Sequence, residues 1–466
     1  MDKLLIERNT NKIKLLKETF LDWALRVHVD CFVKIFKYEN RPFVQLIWVC
    51  ILLVSSCLTF FIINQRVQSY LEFGVTSQIS VVYETPTEFP AVTFCDINAF
   101  TTLVAQNTMV NVFVNNNLTI RNRADSVTLT HLAQMLTSDP AFGDENRKLM
   151  GLNMSQMVYC IYNSKDCTAD LHWYWSYDYG NCFQFNVGLN SHNQKIAVEK
   201  SSLEDIQNGL LIQIFPLKND NFILNGNDFG MVAFIHNSSF KPTSSDGVFL
   251  KAGVSNYISV KRTFLSNPPK PYTDCVDLAS YSSNLYDFIL GSNQTYRQKD
   301  CFDLCKQTSI IEACGCYYLG FANPSSNEIR PCLNLTDLDC FTSKFYEFDP
   351  DSCSSKYCPL ECDTVKYEKR VSSVTYPSVL QFDYFMQTSN QMISFNSYSS
   401  TYLKLNVFYP SLTYTQNVAT PAWSVTSLLA TIGGSMNLIV SLSFFTLIEF
   451  IELIILIMHS LFIKKH

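Results

Sequence analysis

The chain has 466 residues, 47% of them apolar, with a formal net charge of −6. That length allows a sizeable buried core, and the acidic balance argues against a nucleic-acid partner, which selects basic surfaces. Seventeen cysteines exceed what a reducing compartment ordinarily keeps and point to a disulfide framework on the secreted side.

Residues 1–42 carry nine Lys or Arg and read as a cytoplasmic N-terminus. Phe43 to Ile63 follows, 21 residues without a charge. Hydrocarbon roughly 30 Å thick needs about 20 apolar residues, so residues 43–63 are expected to form a first transmembrane helix. A buried core helix, the alternative, seldom needs so long an uncharged run. The basic segment ahead of it is too long for a cleaved signal peptide, which makes the run a signal anchor.

Residues 64–421 then read as an extracellular domain. It holds 14 of the 17 cysteines and all five Asn-x-Ser/Thr sequons, at Asn117, Asn153, Asn237, Asn293 and Asn334, where glycosylation is expected. Its 24 basic and 33 acidic residues favour cations near its mouth, although plain solubility accounts for them as well. Strand-like runs of β-branched and aromatic residues appear at Ile79–Tyr83, Leu210–Phe215, Met231–His236 and Val248–Phe264. Helix-like stretches appear at Leu129–Leu136, with Thr128 as its cap, and at Val379–Gln387. The expected fold is α+β, a central sheet with helices outside. Asn267-Pro268-Pro269-Lys270-Pro271-Tyr272 reads as a stiff connector, since each Pro fixes its φ.

Ten cysteines crowd in after residue 270, among them Cys301-x3-Cys305-x8-Cys314-x-Cys316, then Cys332, Cys340, Cys353, Cys358 and Cys362. Thiolates at such short spacings can ligate zinc. Outside the cell, however, cysteines pair far more often than they hold metal, and no His lies near the cluster. Disulfides are expected, with no metal and no cofactor.

Ala422 to Ile448 is a second uncharged run of 27 residues, continuing past Glu449 and Glu452 to Ile463. Residues 422–463 are expected to be a second transmembrane segment, and Gly433, Gly434, Asn437 and several Ser suit a pore lining better than a lipid anchor. Lys464 and Lys465 close a short tail, residues 464–466. Basic residues near the spans stay inside, so both termini are expected in the cytoplasm of a two-span plasma-membrane protein. Each Gly loosens the helix by about 1 kcal/mol relative to Ala, and small residues let helices approach closely. Hydroxyls and carbonyls at Ser441-Leu442-Ser443 can replace an ion's water shell. Glu449 and Glu452, three apart, share a helix face; repeated around an axis they would favour cations. Interfacial snorkelling or a Lys464/Lys465 partner is the alternative for Glu452 and for Glu449.

Several separated motifs occur in a fixed order. Phe89-Pro90-Ala91-Val92-Thr93-Phe94-Cys95 follows the first span, and Tyr296 precedes the Cys301-to-Cys316 run by five residues. Cys358-x3-Cys362-x4-Tyr367 leads to Ser372 and Pro377-Ser378, and Ile432-Gly433-Gly434 precedes Ser441-x-Ser443 and Glu449. Together they resemble the degenerin/epithelial sodium channel/acid-sensing ion channel superfamily along nearly the whole chain. The resemblance implies a homo- or heterotrimer of related subunits around a central pore, with palm, knuckle, finger, thumb and β-ball subdomains. It implies the pairs Cys95–Cys182, Cys160–Cys167, Cys275–Cys362, Cys301–Cys358, Cys305–Cys353, Cys314–Cys340 and Cys316–Cys332. It assigns Ser441, Leu442, Ser443, Glu449 and Glu452 to the pore and its selectivity, and Ala430, Thr431, Gly433 and Gly434 to the gate.

The function so implied is a sodium-permeable cation channel subunit gated from outside, with a neuropeptide as ligand by analogy with short invertebrate members. Constitutive, proton-gated or mechanically gated members, and a non-conducting accessory or adhesion subunit, are the alternatives. Some positions depart from the pattern. Leu442 is bulky where small residues are usual, and the cytoplasmic His-Gly motif aligns with either Asp30-Cys31 or His28-Val29, without its Gly. Tyr70-Leu71-Glu72-Phe73-Gly74 lacks the His of acid-sensing members, and Thr415, Val418 and Thr431 stand where those members are often acidic, which weakens a proton-driven gate. A trimeric ATP-gated receptor shares the two-span plan but not these motifs. An ectoenzyme is opposed by the absence of a Gly-x-Ser-x-Gly elbow, a His-Glu-x-x-His helix and a phosphate loop.

Overall fold

The computed structural model describes residues 14, 16–38, 40–116, 118, 123–215, 229–292, 294–325, 329–354, 357–388, 394–396, 399 and 402–462. The expected sites Asn117 and Asn293, and the tail from Ile463 through Lys464 and Lys465, lie outside these residues. Two compact units form, Met1–Thr76 with Thr420–His466, and Ser77–Ala419.

The helices run in chain order as α1 (residues 16–26), α2 (Asp30–Lys37), α3 (Pro42–Leu71), α4 (Leu103–Asn115), α5 (Arg123–Ser138), α6 (Asp144–Lys148), α7 (Asn284–Gly291), α8 (Gln298–Cys314), α9 (Leu335–Glu347), α10 (Asp351–Ser354), α11 (Val379–Thr388), α12 (Val425–Val440) and α13 (Phe444–Phe462). The strands are β1 (Val75–Tyr83), β2 (Thr87–Glu88), β3 (Ala91–Asp96), β4 (Met157–Tyr162), β5 (Lys165–Asp166), β6 (His172–Ser176), β7 (Gly180–Phe185), β8 (Lys200–Ser201), β9 (Leu210–Ile214), β10 (Gly230–His236), β11 (Gly247–Lys251), β12 (Val254–Ser266), β13 (Cys275–Val276), β14 (Leu360–Glu361), β15 (Asp363–Thr375), β16 (Leu403–Phe408) and β17 (Thr413–Pro421).

In the smaller unit, α3 starts at Pro42, whose missing N–H costs nothing in a first turn, and runs eight residues past the uncharged stretch. Among the described residues it is the one helix that is long and apolar enough to cross a membrane alone; α12 and α13 pass that test only as a pair, bent by 74°. α2 and α12 both pack against α3.

The larger unit holds two main sheets. Five strands lie in the order β11-β10-β3-β7-β6, and eight include the path β1-β17-β12-β16-β9-β4-β5, with β15 also paired to β12. β3, β7 and β10 are buried along their whole length, as strands covered on both faces must be. Their apolar side chains join those of β4, β9, β12 and β16 in one core that includes Phe94, Phe185, Leu210, Ile212 and Leu405. Some of the buried polar groups of the five-stranded sheet satisfy one another. Thr93 Oγ1 lies 2.8 Å from His236 Nε2 and accepts from Gln184 Nε2 at 3.0 Å.

A single central sheet was expected, and two occur. The run Val248–Phe264 is two strands, because Gly253 turns the chain between β11 and β12 in the left-handed region, φ 77°. β12 then pairs antiparallel with β15 from Val254–Thr375 to Ser266–Asp363. α5 begins at Arg123 with Asp125 in its first turn, so Thr128 lies inside the helix and is not its cap. Early acidic charge favours that start.

Seven disulfides cross-link this unit: Cys95–Cys182, Cys160–Cys167, Cys275–Cys362, Cys301–Cys358, Cys305–Cys353, Cys314–Cys340 and Cys316–Cys332. Cys95 and Cys182 are directly opposed on β3 and β7. Five of the bridges lie between Cys275 of β13 and Cys362 just after β14, and among them Cys314–Cys340 joins α8 to α9 and Cys305–Cys353 joins α8 to α10. Among the described sequons, Asn334 is exposed and caps α9, its Oδ1 accepting from the Asp337 amide at 2.8 Å. Asn153 and Asn237 are half-buried, and each accepts from an amide two residues on, at 3.0 Å.

Candidate ion-conducting segment

The second apolar segment is built from two self-capped helices. Ser424 Oγ accepts from the Ser427 amide at 3.0 Å while Ser427 Oγ accepts from the Ser424 amide at 2.9 Å, a reciprocal pair that satisfies two end donors. Inside α12 the hydroxyls fold back: Thr431 Oγ1 donates to Ser427 O, and Ser435 Oγ to Thr431 O, each at 2.8 Å. Ala430, Gly433, Gly434 and Asn437 are exposed, and their spacing puts them on one helix face. A Cβ added at either Gly meets nothing within 4 Å. This small-residue face therefore fills no close contact within the chain.

α12 stops at Ser441, which sits in the left-handed region with φ 61° and ψ 25°. The Ser441 amide bonds Asn437 O at 3.0 Å, and the Leu442 amide reaches back to Met436 O at 3.2 Å, the closure a helix usually makes on Gly. A side chain there costs on the order of 1–2 kcal/mol. Ser443 then starts α13: its amide donates to Thr446 Oγ1 at 2.6 Å, and its Oγ accepts from the Thr446 amide at 3.4 Å. Residues 441–443 are thus a fixed linker, and a helix end of this kind leaves carbonyls without intrahelical donors. Such oxygens can take the place of a cation's hydration shell.

Leu442 is half-buried. It packs with Trp23, Ala24, Val27, Val29 and Leu453, so bulk at this position serves the apolar cluster. Glu449 is held by the N-terminal segment: its backbone carbonyl accepts from Trp23 Nε1 at 2.8 Å, and its carboxylate accepts from the His28 amide at 3.0 Å and contacts His28 Nδ1. Glu452 is exposed. The two carboxylates on one face therefore stand in different surroundings, one engaged and one open.

His28 lies in the turn between α1 and α2, at one of the two places that align with the His-Gly motif. Around it Phe20, Trp23, Phe32 and Phe36 form a ring cluster that reaches Phe450, 5.0 Å from Trp23. Sequence reasoning missed this cluster. The available signal was the aromatic spacing Phe32-x3-Phe36 on a short helix, which falls on one face. At the other end of the unit, the Arg66 guanidinium lies 5.5 Å from the Trp423 ring. Among the described residues no group of three His, Cys, Asp or Glu is placed to hold a metal ion.

A family model described as amiloride-sensitive sodium channel matches residues 26–453. The chain belongs to this family, and the family's members are plasma-membrane ion channels, not enzymes. It is similar to the bile acid-sensitive ion channel of Mus musculus, 26% identical over 425 residues, with 88% of this chain and 82% of the relative covered. It is 25% identical over 446 residues to acid-sensing ion channel 1C of Danio rerio, with 90% and 80% covered. Epithelial sodium channel subunit alpha of Mus musculus is 28% identical over 304 residues, 63% of this chain and 42% of that longer protein. A solved proton-activated chloride channel gives a TM-score of 0.35 at 8% identity over 89% of this chain and 98% of its own, too remote to bear on the fold.

Proposed function

We propose that this chain is a pore-forming subunit of a trimeric, sodium-permeable cation channel opened by an extracellular ligand. In this reading α3 and the broken α12–α13 pair are the two spans, and both termini are cytoplasmic. The observation that carries it is the break itself: a left-handed Ser441 between two capped helices, in a chain whose relatives are sodium and other ion channels. Ser441 and Ser443, with the linker carbonyls, line the narrow region; Glu449 and Glu452 form carboxylate rings below it. Ala430, Thr431, Gly433 and Gly434 lie where three helices close. The acidic large unit supplies the ligand site, for a short peptide or for a small organic ligand of the kind the mouse relative's name states.

Ion-substitution recording from cells expressing the chain, during application of short peptides and small organic ligands, tests this. A ligand-evoked current whose reversal potential follows external sodium is expected. Surface-expressed chain that passes no current, alone or with related subunits, would overturn it.

A further inference from the structure

The large unit contains a cavity of about 500 Å³ between the end of β10 and the loop after it, the approach to α8, and β15. Two cationic groups approach one carboxylate there, and a third bonds the same residue's backbone. Lys299 Nζ and Thr243 Oγ1 both bond Asp246 Oδ2, and Arg297 Nη1 lies 3.9 Å from the same oxygen. Lys369 Nζ donates to the Asp246 backbone carbonyl at 2.7 Å. Arg297 has a carboxylate of its own, a two-point pair with Asp300 at 2.7 Å. Lys369 does not: that carbonyl is its one hydrogen bond among the described residues. Burial holds its ammonium below the ordinary range, with Asp246 opposing and the Lys299 charge adding.

The cavity lining as a whole carries four cationic side chains, Arg297, Lys299, Lys366 and Lys369, against the three carboxylates Asp246, Glu361 and Asp363. Glu361 spends an oxygen on the Gln298 amide at 2.9 Å, Asp363 is exposed at the rim, and Lys366 adds a further positive charge there. His236 is buried and pushed down to about 4, so it stays neutral. Phe240, Tyr296, Tyr367 and Val365 supply the apolar and aromatic part of the wall, and Asn237, Ser239, Thr295 and Thr364 its neutral polar part. The volume falls within the range of roughly 300–1,000 Å³ that suits small organic ligands.

We propose that this cavity binds an amphipathic organic anion, with its carboxylate or sulfonate against Lys369 and Lys299 and its apolar body along Phe240, Tyr296 and Tyr367. A half-buried ammonium served only by a carbonyl gains a charge-assisted bond when such an anion arrives, and the rings bury the anion's hydrocarbon. The proposal names the ligand class for the channel reading above, and it rests on that reading only for its effect on current.

Equilibrium binding to the purified full chain in lipid nanodiscs tests it, with taurocholate and laurate as probes and dodecanol as the uncharged control. Partition into lipid is common to wild type and variants, so differences between them report the site. Both anions are expected to bind wild type saturably, at least tenfold more weakly to Lys369→Gln, and near the wild-type level to Lys369→Arg; dodecanol should not distinguish them. Tighter binding of taurocholate assigns a rigid polycyclic body, and tighter binding of laurate a flexible chain. Lys299→Gln gives the same test should Lys369→Gln fail to fold. Equal anion affinity in wild type and the Gln variants, dodecanol binding as tightly as laurate, or no saturable binding to wild type would overturn the proposal. Missing current in cells counts against the channel reading and leaves this binding test standing.

Discussion

Asp96 is a carboxyl group sealed into β3. Its Oδ1 accepts from the Asn98 amide at 2.9 Å, while Oδ2 is buried without a partner among the described residues. Desolvation pushes the group up to about 7, with the Asn98 amide opposing. The folded value lies above the ordinary one of about 3.9, so the charged form is the costly one. Stability is complete below about pH 4 and falls as pH rises through about 7, by on the order of 4 kcal/mol at pH 8. Asp96→Asn should therefore raise the thermal midpoint at pH 8 by several degrees and flatten its dependence between pH 5 and 8. A variant with the wild-type pH slope would show that Asp96 is solvated. Ser443 offers a second test at this scale. Ser443→Cys places a soft ligand at the helix break, so cadmium should block current in the variant and spare wild type. Unchanged conductance and cadmium response in well-expressed protein would remove Ser443 from the permeation path.

Among elements, α12 makes the sharpest prediction, because its small-residue face is open in the single chain. If three copies close there, Ala430→Phe overpacks the closed state by about 1–3 kcal/mol, and an equilibrium moves tenfold per about 1.4 kcal/mol. Standing current without ligand is expected, measured per unit of surface protein; a ligand-responsive variant with wild-type basal current places the gate elsewhere. The elements also show what a sequence can carry. Phe43–Ile63 has no charge and lies within α3, and the Phe89-to-Cys95 motif is almost wholly buried because it is the core of a two-sided sheet. Family membership was legible from such motifs in order. The contact of His28 and Trp23 with Glu449 was not, since it joins residues 421 and 426 positions apart and no local period encodes it. Nor was the Asp246 cluster, whose cations come from β15 and from the approach to α8.

At the scale of the whole molecule, purified protein in detergent should have the mass of three chains; a stable monomer or dimer that still conducts would contradict the trimer. The cross-links are tested by Cys301→Ser and Cys358→Ser. Each should lower surface expression to a similar degree, with the double variant little worse, since the partners of one bond are not additive. Two free thiols at these positions in mature surface protein would sink the pairing.

The five bridges between Cys275 and Cys362 have one further consequence. None crosses another: the closure of 16 residues lies inside that of 26, then 48, 57 and 87. Ten thiols admit roughly 900 pairings, yet a nested set can close from the centre outward like a zipper. Each inner bond shortens the slack that the next must gather, and the entropy of closing a loop grows with that slack. Correct oxidation is then largely a matter of sequence order, with each step templated by the one before. An error at Cys316 or Cys332 would propagate outward, while one at Cys275 would stay where it was made.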